Sequence, residues 1–393
     1  MAPIPRLRTY RGPALLSYGF RPFFLFGSLY AGLAVLAWLP MFYGELALST
    51  AFAPRDWHIH EMLYGYLSAV ITGFLLTAVP NWTGRMPLQG RPLLVLVLVW
   101  AAGRIAVTLS AWIGWELAAL IDNAFLLLVA AAVAREIMKG RNWRNLKVLI
   151  AVATLVAGNV VFHLEAHVLG AADYGVRIGI AAVLALIMLI GGRILPSFTR
   201  NWLARENPGR MPAPFGPFDV ASLIAAGAAL VAWIVVPSGV LTGAALMAAG
   251  LLQAVRLARW AGDRTWRDRL VLILHVAYAF VPLGFVLTGL AALRLLPSGA
   301  GIHAWTGGAM GVMTLAVMSR ASLGHTGRAL VASASTQVLY ALAVAAALAR
   351  VCAAVHPAWN DALLHVAGGA WAAAFVGFAI AYWAVFTRPR LSA

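Results

Sequence analysis

The residues of this chain best able to bind a metal are its histidines, and two of them stand together in residues 57–62, Trp-His-Ile-His-Glu-Met. Two residues on a helix that are two positions apart point about 200° away from each other. His58 and His60 therefore face one ligand together only if His58 lies in an irregular first turn. The alternative is that both histidines are polar anchors at the level of the lipid headgroups, beside Trp57. Glu61 needs a partner in either case.

A second group has the spacing i, i+4, i+8: Asn159, His163 and His167. On a helix this spacing predicts one polar stripe along one face. A pair of histidines at i and i+4 can chelate a single metal ion. Hydrogen bonds between membrane helices use the same spacing, so packing without a metal is the alternative.

A third group begins at His303, which is followed by Gly307 and Gly311 in a GxxxG pattern. Small residues at this spacing allow a neighbouring helix, or a flat macrocycle, to approach closely. Plain helix packing explains these glycines equally well. His365, near the start of the last apolar segment, is a further candidate ligand. Histidine is the commonest metal ligand in proteins, so all three groups point to metal or haem chemistry.

The composition limits where this chemistry takes place. The chain has 393 residues, of which 62% are hydrophobic and only 11% are charged, against about 25% charged residues in a soluble domain. A soluble enzyme and a nucleic-acid-binding domain are excluded, although the net charge is +16. The single cysteine, Cys352, excludes an internal disulfide, a multi-cysteine cluster and an iron–sulfur site.

The apolar residues form continuous runs rather than an alternating pattern, so the sequence predicts an all-α integral membrane protein and not a β-barrel. The twelve predicted spans are 20–43, 59–80, 91–111, 113–134, 146–169, 174–196, 219–237, 239–258, 270–294, 302–319, 330–352 and 360–386. The alternative is eleven spans, if the closely spaced pair around residues 112–115 is misread.

The basic residues alternate with the spans. Nearly all Lys and Arg residues lie in the even-numbered connections and at the two ends of the chain. The positive-inside rule then predicts that both termini are cytoplasmic. We expect a single transmembrane domain over 1–393, with cytoplasmic segments at 1–19 and 387–393. The exceptions are Arg55, Arg177, Arg294 and Arg350 on the opposite side, and Arg104 within the third span.

This topology assigns a depth to each candidate. Seven of the nine histidines lie on the outer side or in the outer half of the membrane, namely His58, His60, His163, His167, His303, His356 and His365. Membrane insertion does not favour histidine on one side, so a metal or haem site in the outer half is the simplest explanation. Arg104 is expected to pair with Glu116 or Asp122, or else to bind a haem propionate. Arg55 and Arg177 are better placed for a propionate.

A weak internal repeat accompanies the spans. The second, sixth and tenth spans run in the same direction and end in small polar and basic residues, at 80–85, 196–202 and 319–328. A recurrence every four helices predicts three four-helix pseudo-repeats. Chance, or the shared topology of these helix ends, is the alternative.

Four runs carry a resemblance to a known family: 20–24 (Phe-Arg-Pro-Phe-Phe), 57–62, 73–84 (Gly-Phe-Leu-Leu-Thr continuing to Asn-Trp-Thr-Gly) and 318–328 (Met-Ser-Arg-Ala-Ser-Leu-Gly-His-Thr-Gly-Arg). With them, the chain resembles the NnrS family from residue 17 to its last span. The resemblance implies a bacterial inner-membrane protein with twelve spans that binds haem, expected to be b-type, and copper. It also implies a role in denitrification and in tolerance of nitric oxide, that is, of nitrosative stress.

The resemblance does not assign ligands, so these predictions come from depth and helix faces. His60 and His303 are predicted to be the axial haem ligands, with Arg55 or Arg177 near the propionates. A similarity to the haem–copper oxidase core, whose haem ligands lie on its second and tenth helices, favours this pair, although the tenth span has one histidine where two are expected. Copper is predicted at His163 and His167, completed by His58 or His365.

Three functions remain open. The first is a haem- and copper-binding protein that binds nitric oxide, or processes a species derived from it, near the periplasmic face. It would be an enzyme if it is a haem–copper oxidoreductase. The second is a twelve-helix transporter of copper or another small solute, similar to major-facilitator transporters. The third is a non-catalytic sensor of nitric oxide.

Overall fold

The computed structural model describes residues 10–84 and 86–391, and within these residues every regular element is a helix. Some predictions concern residues outside this part of the chain, namely 1–9, Arg85 and 392–393. The prediction of an all-α, multi-pass membrane protein is confirmed. Twelve long helices follow one another: α1 (Phe20–Phe42), α2 (Pro54–Pro80), α3 (Arg91–Thr108), α4 (Trp115–Lys139), α5 (Trp143–Leu169), α6 (Tyr174–Glu206), α7 (Pro217–Val235), α8 (Val240–Ala258), α9 (Arg269–Ala292), α10 (298–325), α11 (Ala334–Val355) and α12 (Pro357–Ala381).

Eleven of these helices are long and apolar enough to cross a membrane; the other is α10, which contains the glycine-rich tenth predicted span. Several bounds differ from the predicted ones. The helix of the sixth span does not end at residue 196 but continues through Pro196 to Glu206. The last span is interrupted at Tyr382, beyond which Trp383–Thr387 forms a separate short helix. Hydropathy detects where apolar residues stop, whereas a helix continues wherever its backbone hydrogen bonds do.

Four segments within the long helices are π-helical: Glu61–Tyr66, Glu165–Leu169, Ile187–Gly191 and Ala304–Val312. A π-turn accommodates one extra residue and changes the direction of the side chains that follow it. Gly307 and Gly311 lie in the last of these segments. A Cβ at Gly311 would be 2.5 Å from the ring of Trp371 in α12, and one at Gly307 would be 3.6 Å from Cα of Ala347 in α11. Helix packing therefore explains Gly311, whereas a Cβ at Gly307 would make only ordinary van der Waals contacts.

The chain divides into two compact units. The first contains the described residues of 1–179, 321–329 and 375–393, so it holds α1–α5 and the first turns of α6. Its core includes Phe23, Phe24 and Phe125. The second contains 180–320 and 330–374. The single domain over 1–393 and the three pseudo-repeats stay predictions.

The second unit holds one buried charge network. Nε of Arg256 in α8 donates to Oδ1 of Asp219 at 2.9 Å, and its Nη1 donates to the hydroxyl of Tyr278 at 3.0 Å and to the carbonyl oxygen of Met188 at 3.1 Å. Asp219 also accepts from the backbone N–H of Gly216, which caps the start of α7. These partners make Arg256 a structural residue that fastens α6, α7, α8 and α9 together.

Candidate metal centre

The first unit brings together α2, α3, α4 and α5 around one polar cluster in its interior. His60 and Glu61 in α2 are both fully buried. Consecutive residues of an α-helix point about 100° apart. The π-turn of Glu61–Tyr66 begins at Glu61 and changes the direction of the side chains that follow His60. Two adjacent polar side chains therefore enter the same interior space.

Arg104 in α3 joins the two carboxylates of the cluster. Its Nη1 donates to Oε1 of Glu61 at 2.6 Å, and its Nη2 makes a short ion pair with Oδ1 of Asp122 in α4. Gly65 makes room for the guanidinium, since a Cβ there would lie 2.6 Å from Nη1. Tyr30 in α1 donates a short hydrogen bond to Oε2 of Glu61. Of the two predicted partners of Arg104, Asp122 is thus the one observed.

The second oxygen of Asp122 is the centre of the cluster. Oδ2 accepts a hydrogen bond from Nδ2 of Asn159 at 2.7 Å. Nε2 of His163 lies 3.1 Å from the same oxygen, and Nε2 of His60 lies 3.2 Å from it. The polar stripe predicted for α5 is therefore present at Asn159 and His163, and both residues face a carboxylate.

His60 has an unusual environment, because both of its ring nitrogens face acceptors. Nδ1 lies 2.8 Å from Oε1 of Glu61, and Nε2 lies 3.0 Å from Oδ1 of Asn159 and near Asp122. A neutral imidazole donates from one nitrogen only, so a lone pair is left facing an oxygen. Exchanging O and N of the Asn159 amide would only move this conflict to Asp122. A second proton on the imidazole, or a metal ion bound at one of its nitrogens, removes this conflict.

His163 provides a second indication. Its Nε2 is positioned to donate to Asp122, while its Nδ1 is buried without a hydrogen-bond partner among the described residues. His60, Asp122 and His163 each offer one ligand atom, and these atoms lie within 4.8 Å of one another. The three residues form a buried group that could hold a metal ion.

Comparison with known proteins identifies the chain. The model of the family described as NnrS protein matches residues 14–390. The chain belongs to the NnrS family. No curated protein matches it. Membership in this family supports a membrane protein related to nitric oxide, in agreement with the resemblance found in the sequence.

In this NnrS-family chain, His167 lies beside the cluster. Its ring is stacked between Phe52, at 4.6 Å between centroids, and Trp115, at 4.9 Å. The centroid of His163 is 6.0 Å away. Nε2 of His167 is buried without a hydrogen-bond partner among the described residues. The predicted proximity of His163 and His167 is observed, and the role of His167 as a ligand stays a prediction.

Glu165, between these two histidines, bonds neither of them. It accepts hydrogen bonds from the backbone N–H groups of Asp173, Tyr174 and Gly175 at 2.7–3.1 Å. A carboxylate there satisfies donors that the first turn of a helix leaves without partners, and it interacts favourably with the helix dipole. Glu165 thus fixes the start of α6 against the end of α5.

The other predicted site residues of the first unit lie near its surface. The ring of His58 stacks on Trp38, with 4.0 Å between centroids. Arg55 pairs with Asp56 at 3.3 Å and with Asp173 at 3.5 Å, and the guanidinium of Arg177 lies 4.6 Å from the ring centroid of Tyr174. The propionate role of these arginines stays a prediction.

His303 and His365 belong to the second unit. His303 is the last residue before the π-helical segment Ala304–Val312. His365 is exposed, and its Nδ1 lies 2.8 Å from the carbonyl oxygen of Asp361. The structure therefore groups His60 with His163 and His167 in the first unit. It places His303 and His365 in the second unit.

The sequence predicts Asn159 only as part of a polar stripe, Glu61 as a residue that needs a partner and Asp122 as a partner of Arg104, and none of them as a member of a metal centre. A signal was available, because an acidic residue at membrane depth is costly and marks function or pairing. Hydropathy does not predict that α2, α4 and α5 converge on one point.

Proposed function

We propose that this protein binds copper at His60, Asp122 and His163 and acts in the response to nitric oxide. The observation that carries the proposal is the environment of His60, whose two ring nitrogens both face oxygen acceptors. A bound cation removes that conflict. One ligand atom from each of His60, Asp122 and His163 lies within 4.8 Å of the others, which supports the same proposal.

The chemistry of the ligands favours copper among the metals that the family resemblance implies. Imidazole suits copper well, and a carboxylate can complete the set. The single cysteine, Cys352, is exposed and belongs to the second unit, and the ligands of the buried cluster are imidazole and carboxylate groups. Copper, when bound, supplies a centre to which nitric oxide or a species derived from it can bind.

The surrounding residues keep this centre dry. Phe52 and Phe162 pack against the ring of His60, with centroids at 5.1 and 5.3 Å. Nitric oxide is small and apolar and dissolves in the bilayer, so a ligand of this kind needs no hydrophilic channel. Asn159 and Arg104 hold Asp122 in place, and Asp122 in turn orients the ring of His163.

Haem is the second group implied by the resemblance, and the sequence predicts His60 and His303 as its axial ligands. The ring of His60 is surrounded by Phe52, Tyr64 and Phe162, and its nitrogens face side-chain oxygens. These contacts do not fit an axial haem ligand, and we assign His60 to the smaller metal ion. His303 remains the predicted haem ligand.

For localisation we propose the bacterial inner membrane, with both termini cytoplasmic and the metal centre in the periplasmic half of the bilayer. The distribution of Lys and Arg supports this orientation. The eleven apolar helices support a multi-pass protein of the lipid bilayer.

Metal analysis of the purified protein tests the proposal. We expect the natural protein to carry copper and His163→Ala to lose most of it, because that variant removes one ligand without removing a charge. His356→Ala, in the connection between α11 and α12, is the matched control and should keep its copper. An optical spectrum of each sample reports haem independently. A His163→Ala protein that folds with full copper content would contradict the proposal.

A further inference from the structure

The metal centre contains a fixed positive charge that cannot be a ligand. The guanidinium of Arg104 donates to Glu61 and to Asp122 and has no lone pair to offer a metal ion. Among the described residues, no other Lys or Arg is paired with either carboxylate. All three side chains are buried. Their charges must therefore balance inside the protein.

The balance is incomplete with Arg104 alone. Two carboxylates and one guanidinium leave a net charge of −1, since neutral imidazoles contribute none. An uncompensated charge in a buried site is expensive, because protein and lipid screen it poorly. A monovalent cation brings the centre to neutrality, whereas a divalent cation leaves it with a charge of +1.

We infer that Arg104 determines the charge of the ion that the centre prefers, and that it selects a monovalent ion, copper in its cuprous state. The inference rests on the proposed copper site. It makes Arg104 a specificity-determining residue that acts through its charge and not through a bond to the metal.

The geometry keeps this charge in place. Arg104 is held by two carboxylates from different helices, and Gly65 allows its guanidinium to approach α2 closely. Nη2 reaches Oδ1 of Asp122 while the histidines reach Oδ2, so cation and ligands occupy opposite sides of one carboxylate. The positive charge thus lies next to the metal position without occupying it.

The size of the effect follows from Coulomb's law. We take a separation of about 5 Å between Arg104 and the metal ion and an effective dielectric constant of about 20. Repulsion by Arg104 then lowers the affinity for a divalent ion, relative to that for a monovalent ion, by a factor of about 10². The ratio of cuprous to cupric affinity sets the reduction potential of bound copper. Since a tenfold change corresponds to about 59 mV for one electron, removing the charge should lower the potential by about 120 mV.

A redox titration of the purified, copper-loaded protein, followed by the electron paramagnetic resonance signal of cupric copper, tests the inference. We expect Arg104→Gln to lower the midpoint potential by about 120 mV, whereas Arg104→Lys, which keeps the charge, stays near the natural value. Arg144→Gln removes a positive charge at an exposed position outside the cluster, so it is the matched control and should leave the potential unchanged. An unchanged potential in a folded, copper-loaded Arg104→Gln protein would overturn the inference while leaving the copper site intact.

The opposite charge change provides a second test if Arg104→Gln does not fold. Glu61→Gln adds one positive unit relative to the natural centre and should raise the potential by a similar amount. A potential that stays constant or falls in Glu61→Gln would also overturn the inference. Absence of copper from the natural protein would overturn the proposed function and this inference together.

Discussion

The hydroxyl of Tyr64 in α2 donates a 2.6 Å hydrogen bond to the carbonyl oxygen of Gly175 in the first turn of α6. The ring of Tyr64 also lies against His60, with 5.5 Å between centroids. A Cβ at Gly158 or at Gly179 would come within 2.7 or 2.5 Å of this hydroxyl. Two glycines therefore leave the space in which a tyrosine connects α2 to α6 next to His60 of the proposed metal centre.

Filling that space should displace Tyr64. We expect Gly179→Ala to lower the free energy of unfolding by about 1–3 kcal/mol, because the added methyl group overpacks a buried contact, and to reduce metal content through His60. Thermal unfolding and metal analysis in detergent measure the two effects. Gly227→Ala, where a Cβ meets nothing within 4 Å, is the control, and equal behaviour of both variants would show that the contact is unimportant.

The cap at the start of α6 gives a second prediction. Glu165→Gln keeps the shape of the side chain but removes the charge that accepts three backbone N–H groups. We expect a loss of about 1–2 kcal/mol in the free energy of unfolding. Glu45→Gln, at an exposed position after α1, should change it little. The idea fails if the two variants unfold at the same temperature.

The role of His167 can be separated from that of His163. A double variant, His163→Ala with His167→Ala, should contain no copper, and His167→Ala alone should lose part of it if the buried, unpartnered Nε2 is a ligand. Copper and haem are both measured, so general unfolding is recognised by the loss of both. Full copper with intact haem in the double variant would remove α5 from the site.

The orientation in the membrane is tested by labelling with an impermeant maleimide after Cys352 is replaced. Glu45→Cys lies in an exposed connection that we predict to be periplasmic. Arg144→Cys lies at an exposed position in the first turn of α5, on the side that we predict to be cytoplasmic. We avoid Gly140, because a Cβ there would lie 2.8 Å from Cβ of Thr83. Intact cells should label position 45 and not position 144. The reverse pattern would invert the topology.

Much of the fold could be predicted from hydropathy alone, because lipid requires long apolar helices and charged residues mark their ends. Hydropathy misses the end of α6 for a physical reason: polar and charged residues are frequent in 197–206, yet this segment remains helical beyond Pro196. The sequence also does not show π-turns, since no residue type specifies them.

The centre could be predicted only in part. His60 and His163 were candidates because of their residue type and depth. Asp122 was expected only as a partner of Arg104, and its second role depends on the approach of α5 to α4. Pairing distances of this kind arise from tertiary packing, which spacing along one helix does not encode.

The π-turns give the helices of the centre a property that regular helices lack. In α2 the segment Glu61–Tyr66 directly follows His60, and in α5 the segment Glu165–Leu169 begins two residues after His163. Each extra residue offsets the rotational phase of the helix on one side of it by about 100° relative to the other. The turns before and after each π-segment can therefore present different faces, so one continuous helix can direct its histidine at the cluster and still meet a separate packing requirement along the rest of its length.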